Sequence, residues 1–250
     1  MNVIKRYNQI EEILRKERYI SVDDLAERLQ ISVATVRRDF TAMEEYGVIK
    51  RTRGGAFLAE NPPYQKVGSI STRAAVQTKE KETIAKYAAS LIRSNEHIFI
   101  DFSSTTALMV PYIEASGVTV MTNSYYAIPP LVQKGLHVYV LNGIAHESGQ
   151  ILSEDTLSRL RNFNFDKAFL GTYGVSLEAG FTGYNPIDGE FKKLVIQQSK
   201  ESYTLMDNTK FGNNAFYSYA PATLTTIITD KATGETGKFK NVVIAPNEQA

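Results

Sequence analysis

Apolar residues near the start of the chain recur every three or four positions, the spacing of amphipathic α-helices, in three successive stretches. The first covers about 3–16. A Ser-x-x-Asp capping pattern begins the second at Ser21. Ser32 caps the third, which ends at Gly47. This order predicts a helix-turn-helix, the motif that seats its last helix in the major groove of DNA.

The third helix has one apolar side and one polar side. At about 100° per residue, the apolar positions from Val33 to Met43 share one side, and Arg38 lies opposite them. Arginine pairs with guanine, threonine bonds bases or phosphates, and an alanine methyl packs on thymine. A solvated helix face is the alternative interpretation. The predicted DNA contacts of this helix are Ser32, Ala34, Thr35, Arg37, Arg38 and Thr41.

A second cationic feature, called the wing below, covers 48–58. Two short apolar stretches flank a pair of glycines, a pattern typical of a β-hairpin. Glycine lets the backbone approach a phosphate closely, and lysine or arginine neutralises phosphates, which makes binding salt-dependent. The predicted DNA contacts of the wing are Lys50, Arg51, Arg53, Gly54 and Gly55.

Two motifs in this region match a known family. Arg-Arg-Asp occupies 37–39, and Gly-Gly-Ala occupies 54–56. In content and in separation they resemble the signature of the DeoR family of bacterial transcriptional regulators. The resemblance implies a DNA-binding winged helix-turn-helix domain over 1–58.

The rest of the chain has a different pattern. Residues 59–72 contain two prolines and a glycine and predict a linker. Over 73–250, short apolar runs alternate with helical patterns, which predicts an α/β domain with an open, mostly parallel sheet and helices on both faces. Strands are predicted at 97–101, 118–122, 137–141, 167–170, 203–207, 226–230 and 241–245, and helices at 79–93, 105–115, 125–133, 155–163 and 189–200.

Polar residues gather at the carboxyl ends of the predicted strands, where open α/β sheets bind ligands. Hydroxyl side chains open a helix after Asp101, and such helix starts bind anions; ordinary capping is the alternative. Lys210 can neutralise a phosphate while Asp207 accepts sugar hydroxyls, unless the two form a surface ion pair. Glu190 and Lys193, one helical turn apart, either reach this edge or pair on the surface. The candidate ligand-binding residues are Asp101, Ser103, Ser104, Thr105, Thr106, Asn123, Ser124, Gly143, Gly171, Glu190, Lys193, Asp207 and Lys210.

The same part of the chain resembles the DeoR-family sensor domain, so that the resemblance extends over about 6–230. The segments that follow the family order are 81–85, 101–106, 122–124 and 207–212. The resemblance implies a fold similar to ribose-5-phosphate isomerase and a phosphorylated sugar as effector. Ser103 stands where the family commonly has glycine, and Asn142 stands where it commonly has the first of two glycines. A side chain narrows the space for close backbone approach.

Composition narrows the function classes. The chain has 250 residues, a net charge of +1, no cysteine and three histidines. Disulfides, thiolate metal sites and cysteine nucleophiles are therefore excluded, and we expect no metal and no cofactor. The first 58 residues carry 11 basic and 9 acidic side chains, a net charge that agrees with DNA binding. No run of about 18 apolar residues and no secretory pattern occurs, so we expect a soluble, cytoplasmic protein.

By the family resemblance, we expect a repressor of a sugar or carbohydrate operon that binds a double-stranded DNA operator. It should act as a homodimer or higher homo-oligomer, modulated by a phosphorylated sugar, without catalytic activity or a membrane partner. The alternative is a sugar-phosphate isomerase-like enzyme with a DNA-binding head, in which Glu190 or Asp207 acts as base with Lys210. A head that docks on another protein has no supporting feature beyond its helix face.

Overall fold

The computed structural model describes residues 6, 9–10, 13–14, 16–45, 49–58, 77–146, 148–153 and 155–246. The chain divides into two compact units, 1–67 and 68–250, which are described separately. The predicted linker at 59–72 lies outside the described residues.

The N-terminal unit combines short helices with a small sheet. Its elements are β1 (Tyr19–Ser21), α1 (Val22–Leu29), α2 (Val33–Glu45), β2 (Ile49–Arg51) and β3 (Gly55–Leu58). The strands pair antiparallel in the order β1-β3-β2. The predicted wing is therefore the β2–β3 hairpin, and β1 is a third strand that the sequence pattern did not indicate. Much of the predicted first helix lies outside the described residues, and its described positions, 6, 9–10, 13–14 and 16, are helical.

Side-chain caps set where the two helices begin, as the sequence predicted. Ser21 Oγ accepts a hydrogen bond from Asp24 N at 3.0 Å, and Ser32 Oγ accepts one from Thr35 N at 3.1 Å. Gln30 ends α1 in the left-handed conformation, with φ 52°, and turns the chain into α2. The core of the unit consists of Ile10, Leu14, Ile20, Leu25, Ala26, Val36, Phe40, Met43, Ile49 and Ala56.

The second unit is built on a parallel sheet, which confirms the predicted α/β architecture. Its strands are β4 (His97–Ile100), β5 (Thr119–Thr122), β6 (His137–Val140), β7 (Ile144–Ala145), β8 (Ile151–Leu152), β9 (Phe165–Gly171), β10 (Gly174–Ser176), β11 (Gly180–Gly183), β12 (Ser199–Leu205), β13 (Tyr217–Ala220), β14 (Thr226–Thr229) and β15 (Val242–Ile244). Seven strands form the main sheet, in the order β15-β14-β12-β9-β4-β5-β6, and all its pairs are parallel. An antiparallel sheet, β10-β11-β13, and the β7–β8 pair stand apart from it.

The helices of this unit are α3 (Thr78–Ser90), α4 (Ser104–Ala107), α5 (Ile128–Gln133), α6 (Thr156–Leu160) and α7 (Pro186–Gln197). The helix predicted over 105–115 is shorter than expected: α4 ends at Ala107, and a separate 3-10 turn covers Val110–Tyr112. Pro111 lies in that turn and has no N–H to continue an α-helical ladder.

At β4 the main sheet is buried on both faces. Phe99 of β4 packs on the rings of Phe165 and Phe191, with centroids 5.6 and 5.5 Å away. Its neighbours Ile98 and Ile100 point to the opposite face, into the apolar cluster that includes α3. Because all strands of the main sheet run in the same direction, the polar residues that follow their carboxyl ends lie along one edge of the sheet, called the carboxyl edge.

Candidate functional site

The outer side of α2 is exposed. Arg37 and Arg38 are exposed, and neither guanidinium group has a hydrogen-bond or ion-pair partner among the described residues. Ser32 and Ala34 are also exposed, whereas Thr35 is half-buried, with its hydroxyl 2.8 Å from Ser32 Oγ. Both guanidinium groups are therefore available to a molecule outside the unit.

The third residue of the Arg-Arg-Asp motif points inward. Asp39 is 2% exposed and Arg6 is 6% exposed. The Arg6 guanidinium donates to both carboxylate oxygens, from Nη2 to Oδ1 at 2.9 Å and from Nε to Oδ2. Bidentate pairing compensates for the cost of burying each charge. Asp39 therefore ties α2 to the helical segment that carries Arg6.

One wing cation is bound within its own unit. Arg51 N donates to Glu44 Oε1 at 2.8 Å, and its Nε lies 3.2 Å from Oε2 of the same carboxylate. Arg51 Nη1 also donates to Thr41 Oγ1, which donates in turn to Arg37 O at 2.9 Å. Thr41 and Arg51, both predicted to contact DNA, are thus occupied in joining α2 to β2.

The other wing residues differ in their surroundings. Lys50, Arg53 and Gly54 are exposed, and the two cations have no partner among the described residues. Gly55 is buried, and a Cβ there would lie 2.2 Å from Ile20 O. The need for glycine at 55 therefore comes from the pairing of β3 with β1.

In the second unit, Asp101 is the centre of a buried polar cluster at the carboxyl edge of the main sheet. Asp101 is 0% exposed. Its Oδ1 accepts hydrogen bonds from Ser103 N at 2.9 Å and Thr106 Oγ1 at 2.8 Å, and its Oδ2 accepts one from Gly171 N at 2.7 Å. A Cβ at Gly171 would lie 2.3 Å from Ser103 Cβ. Asp101 thus joins the loop after β4 to the end of β9.

Helix α7 adds a lysine and a carboxyl group to this cluster. Lys192 Nζ lies 3.1 Å from Asp188 Oδ2 and 3.6 Å from Asp101 Oδ2, and it donates to Gly171 O at 2.8 Å. Gln150 Nε2 donates to Asp188 Oδ1 at 2.6 Å. Gln150, Asp188 and Lys192 were not among the residues predicted from the sequence, although the i,i+4 spacing of Asp188 and Lys192 was a signal that they could pair.

The charges of this cluster shift one another. Burial opposes the charged form of Lys192, but the carboxyl groups of Asp188 and Asp101 outweigh it, so the pKa of Lys192 lies above its ordinary value. Burial raises the pKa of Asp188, and Lys192 offsets only part of that effect. The cluster therefore holds a protonated lysine between two carboxyl groups.

Glu190 and Lys193 lie on another side of α7. Tyr217 Oη donates to Glu190 Oε1 at 2.6 Å, and Lys193 Nζ lies 3.8 Å from the same oxygen. Both line a shallow cavity of about 260 Å³ beside Leu157 and Arg161. The structure therefore does not bring them together with the Asp101 cluster, and they form the i,i+3 pair that was their alternative interpretation.

The hydroxyl groups predicted to bind an anion make contacts within the protein. Ser103 Oγ accepts from Thr106 N at 3.0 Å, and Ser124 Oγ accepts from Ala127 N at 3.3 Å. Ser104 and Thr105 are buried. Because α4 has only four residues, its dipole is small. Ser103 and Ser124 thus act as local caps, and anion binding by the hydroxyls of this segment stays a prediction.

Asn123 is different, because its side chain is buried without partners. It is 0% exposed, and neither atom of its amide has a hydrogen-bond partner among the described residues. The sheet register pairs Ile100 with Thr122, so Asp101 and Asn123 are the first residues beyond two neighbouring strands. A buried amide without partners costs free energy, which a ligand that bonds it would recover.

The remaining candidates follow other strands. Asp207, 2% exposed, accepts from Thr209 N at 3.2 Å, and Lys210 Nζ donates to Thr172 O at 2.7 Å. Both follow β12, the neighbour of β9, at the same edge of the sheet as Asp101. Gly143 is exposed after β6, and a Cβ there would lie 2.3 Å from the backbone of β8.

The part of the chain that the structure describes contains no cluster of histidine, aspartate and glutamate able to hold a metal ion. None of its helices combines the length and apolar character needed to cross a membrane.

Two family models match the chain. Residues 6–61 match a DeoR-like helix-turn-helix domain, and residues 76–231 match a DeoR C terminal sensor domain. The chain belongs to the DeoR family. This membership confirms the resemblance seen in the Arg-Arg-Asp and Gly-Gly-Ala motifs, and a DeoR-family protein is a DNA-binding transcriptional regulator.

Named relatives agree with this DeoR-family assignment. The HTH-type transcriptional repressor GlcR of Bacillus subtilis (strain 168) is 34% identical over 230 residues, which cover 91% of this chain and 88% of GlcR. The glycerol-3-phosphate regulon repressor of Escherichia coli (strain K12) is 29% identical over 222 residues, 86% of this chain and 85% of that one. These relatives are named as repressors, which agrees with the expectation of a regulator without catalytic activity. Among solved structures, ribose 5-phosphate isomerase A from Methanocaldococcus jannaschii matches over 52% of each chain, with 20% identity and a TM-score of 0.38.

Proposed function

We propose that this DeoR-family protein represses an operon of carbohydrate metabolism, and that a phosphorylated sugar modulates its binding to operator DNA. It acts in the cytoplasm as a homo-oligomer, at least a dimer, whose N-terminal units bind a symmetric operator. The relative named as a glycerol-3-phosphate regulon repressor supports this class of target genes.

On the DNA side, the exposed cations of the N-terminal unit make the contacts. Arg38 of α2 reads a base and Arg37 lies beside it, while Lys50 and Arg53 of the wing neutralise phosphates. Their exposure and their lack of partners among the described residues support these roles. Arg51 holds the wing on α2. Further contacts come from the exposed or backbone-accessible positions Ser32, Ala34, Thr35 and Gly54.

On the effector side, the buried and unpartnered amide of Asn123 is the observation that carries the proposal. A sugar hydroxyl satisfies both its donor and its acceptor, and Lys210 pairs with the phosphate. Asp101 and Asp207 accept further hydroxyls, and Lys192 positions Asp101. The effector changes operator affinity only to the extent that it binds the DNA-binding state and the non-binding state of the protein with different affinities.

A thermal-shift screen of phosphorylated sugars against the same sugars without phosphate tests the effector class. A ligand of the native state raises the melting temperature, and we expect the phosphorylated sugars alone to do so. Asn123→Ala should abolish the shift at little cost to the unliganded protein, because the amide has no hydrogen-bond partner to lose among the described residues. Lys193→Gln is the matched control and should keep the shift, because Lys193 lies outside the polar cluster around Asp101. No shift with any phosphorylated sugar would overturn the effector assignment.

A further inference from the structure

Large apolar side chains are exposed at one edge of the main sheet. They belong to β6, the outermost strand, and to the segments that flank it in the chain. The edge patch, as it is called below, consists of Val132 (56% exposed), Tyr139 (55%), Val140 (45%) and Ile144 (70%). Exposed apolar patches of this kind mark surfaces that are covered by another molecule.

The exposure of β6 extends to both of its faces, because Tyr139 and Val140 are successive residues that point to opposite faces and both are exposed. Val138 points to the face that α5 packs against. Tyr139 points to the opposite face, where its partner across the parallel ladder is Met121. Met121 is 5% exposed, so this face of the sheet is buried at β5 and exposed at the next strand, β6. Parallel sheets are normally covered on both faces, and this edge strand is therefore incompletely covered in a single chain.

The backbone of β6 is also open on its outer side. Among the described residues, β6 pairs only with β5. Edge strands with unpaired N–H and C=O groups bind further strands unless charges or prolines block them. The residues of β6 are His137, Val138, Tyr139 and Val140, which include no proline, no carboxylate and no lysine or arginine.

The charge around the patch indicates what covers it. Residues 125–145 contain no aspartate or glutamate and a single lysine, Lys134. Lys134 Nζ donates to Ile113 O at 3.0 Å and is directed into its own unit. A nucleic acid or a highly charged protein finds no complementary charge here. A two-fold axis places a surface against itself, so that a charge close to the axis meets its own copy, whereas a neutral apolar surface has no such repulsion.

We propose that the edge patch is the contact between two copies of this chain, with β6 of one protomer lying antiparallel to β6 of its partner. A two-fold axis normal to the sheet makes the two strands antiparallel. Their pairing satisfies the free backbone groups and covers Tyr139 and Val140 of both copies. The inference extends the proposed function by naming the surface that gives each assembly two DNA-binding units.

Lysine substitutions test the proposal through the mass in solution. Tyr139→Lys and Ile144→Lys add positive charges from both copies to a surface whose residues 125–145 include no carboxylate to pair with them. Light scattering after gel filtration should therefore show a smaller assembly than the parent forms. Leu177→Lys and Leu224→Lys are matched controls, because these leucines are 57% and 52% exposed elsewhere, and they should keep the parent mass. Circular dichroism and thermal melting verify that each variant is folded. A monomeric parent, or folded edge variants with the parent mass, would overturn the proposal.

Cross-linking tests the strand pairing directly. Since the chain has no cysteine, a single introduced cysteine reports only on its own position. Cysteine is placed in turn at each position of β6, and mild oxidation should yield a disulfide-linked dimer at the position nearest the axis, where Cβ atoms approach to about 4 Å. Leu177→Cys and Leu224→Cys should stay uncross-linked. Absence of a cross-link along the whole strand would overturn the β6 contact. Neither experiment uses DNA or effector, so its result is separate from that of the proposed function.

Discussion

Replacing single wing cations by glutamine should change the salt dependence of DNA binding unequally. Each lysine or arginine that neutralises a phosphate contributes about 0.9 to the slope of log K against log salt concentration. Lys50 is exposed and has no partner among the described residues, whereas Nε of Arg51 lies 3.2 Å from the Glu44 carboxylate. An arginine already paired with a carboxylate brings little net charge to DNA. We therefore expect Lys50→Gln to reduce the slope by about 0.9 and Arg51→Gln to leave it nearly unchanged.

The two variants should also differ in how affinity falls. Over a fourfold rise in salt concentration, a slope of about 0.9 amounts to roughly 3.5-fold in affinity. Arg51→Gln should instead weaken binding by a similar factor at every salt concentration, because the wing loses the bonds that the Arg51 side chain makes to Thr41 and Glu44. Glu44→Gln sharpens the comparison. It frees the Arg51 guanidinium to reach a phosphate, so the slope should steepen by up to about 0.9.

Fluorescence anisotropy with a labelled duplex of arbitrary sequence measures these slopes, because counterion release does not require the operator. Arg53→Gln serves as a second phosphate-contact variant and should behave as Lys50→Gln does. If Arg51→Gln lowered the slope as much as Lys50→Gln, the guanidinium would be neutralising a phosphate, and its assignment as the residue that holds the wing would be refuted.

Three further substitutions test other parts of the structure. Arg38→Ala should relax base preference by about 1–3 kcal/mol in competition gel shifts with a selected operator; unchanged discrimination would contradict a base contact. Lys192→Met leaves two buried carboxyl groups without their cation, and it should lower the free energy of unfolding in urea by about 3–5 kcal/mol at neutral pH. Because Lys192 lowers the pKa of Asp188, its removal raises that pKa further above the ordinary 3.8. The folded state then holds a proton that the unfolded state releases, so the loss of unfolding free energy should become smaller as the pH falls towards 3.8. A loss that stays the same at every pH would argue against this explanation. Gly55→Ala should lower the melting temperature, since its Cβ would lie 2.2 Å from a carbonyl of β1, whereas Gly54→Ala should not.

Much of this protein could be predicted from residues close together in the chain. The caps at Ser21 and Ser32 act on N–H groups three positions away. The outward direction of Arg38 follows from helical spacing once Val36 is assigned to the core. Alternating strand and helix patterns likewise predicted the parallel sheet and the edge at which Asp101 lies. Each of these inferences depends on a local period or cap, which a sequence displays directly.

Tertiary structure alone decided which side chains meet. On α7 the sequence pattern favoured Lys193, but Lys192 contacts Asp101, because one residue turns a helix by about 100° and only packing selects the face that meets the sheet. Arg51 is of a residue type that contacts phosphates and lies in the wing, yet it is bound by Glu44, which belongs to another element. The exposure of Tyr139 depends on β6 being the last strand of the sheet. Strand order and helix rotation are set by contacts between distant segments, so local patterns do not contain them.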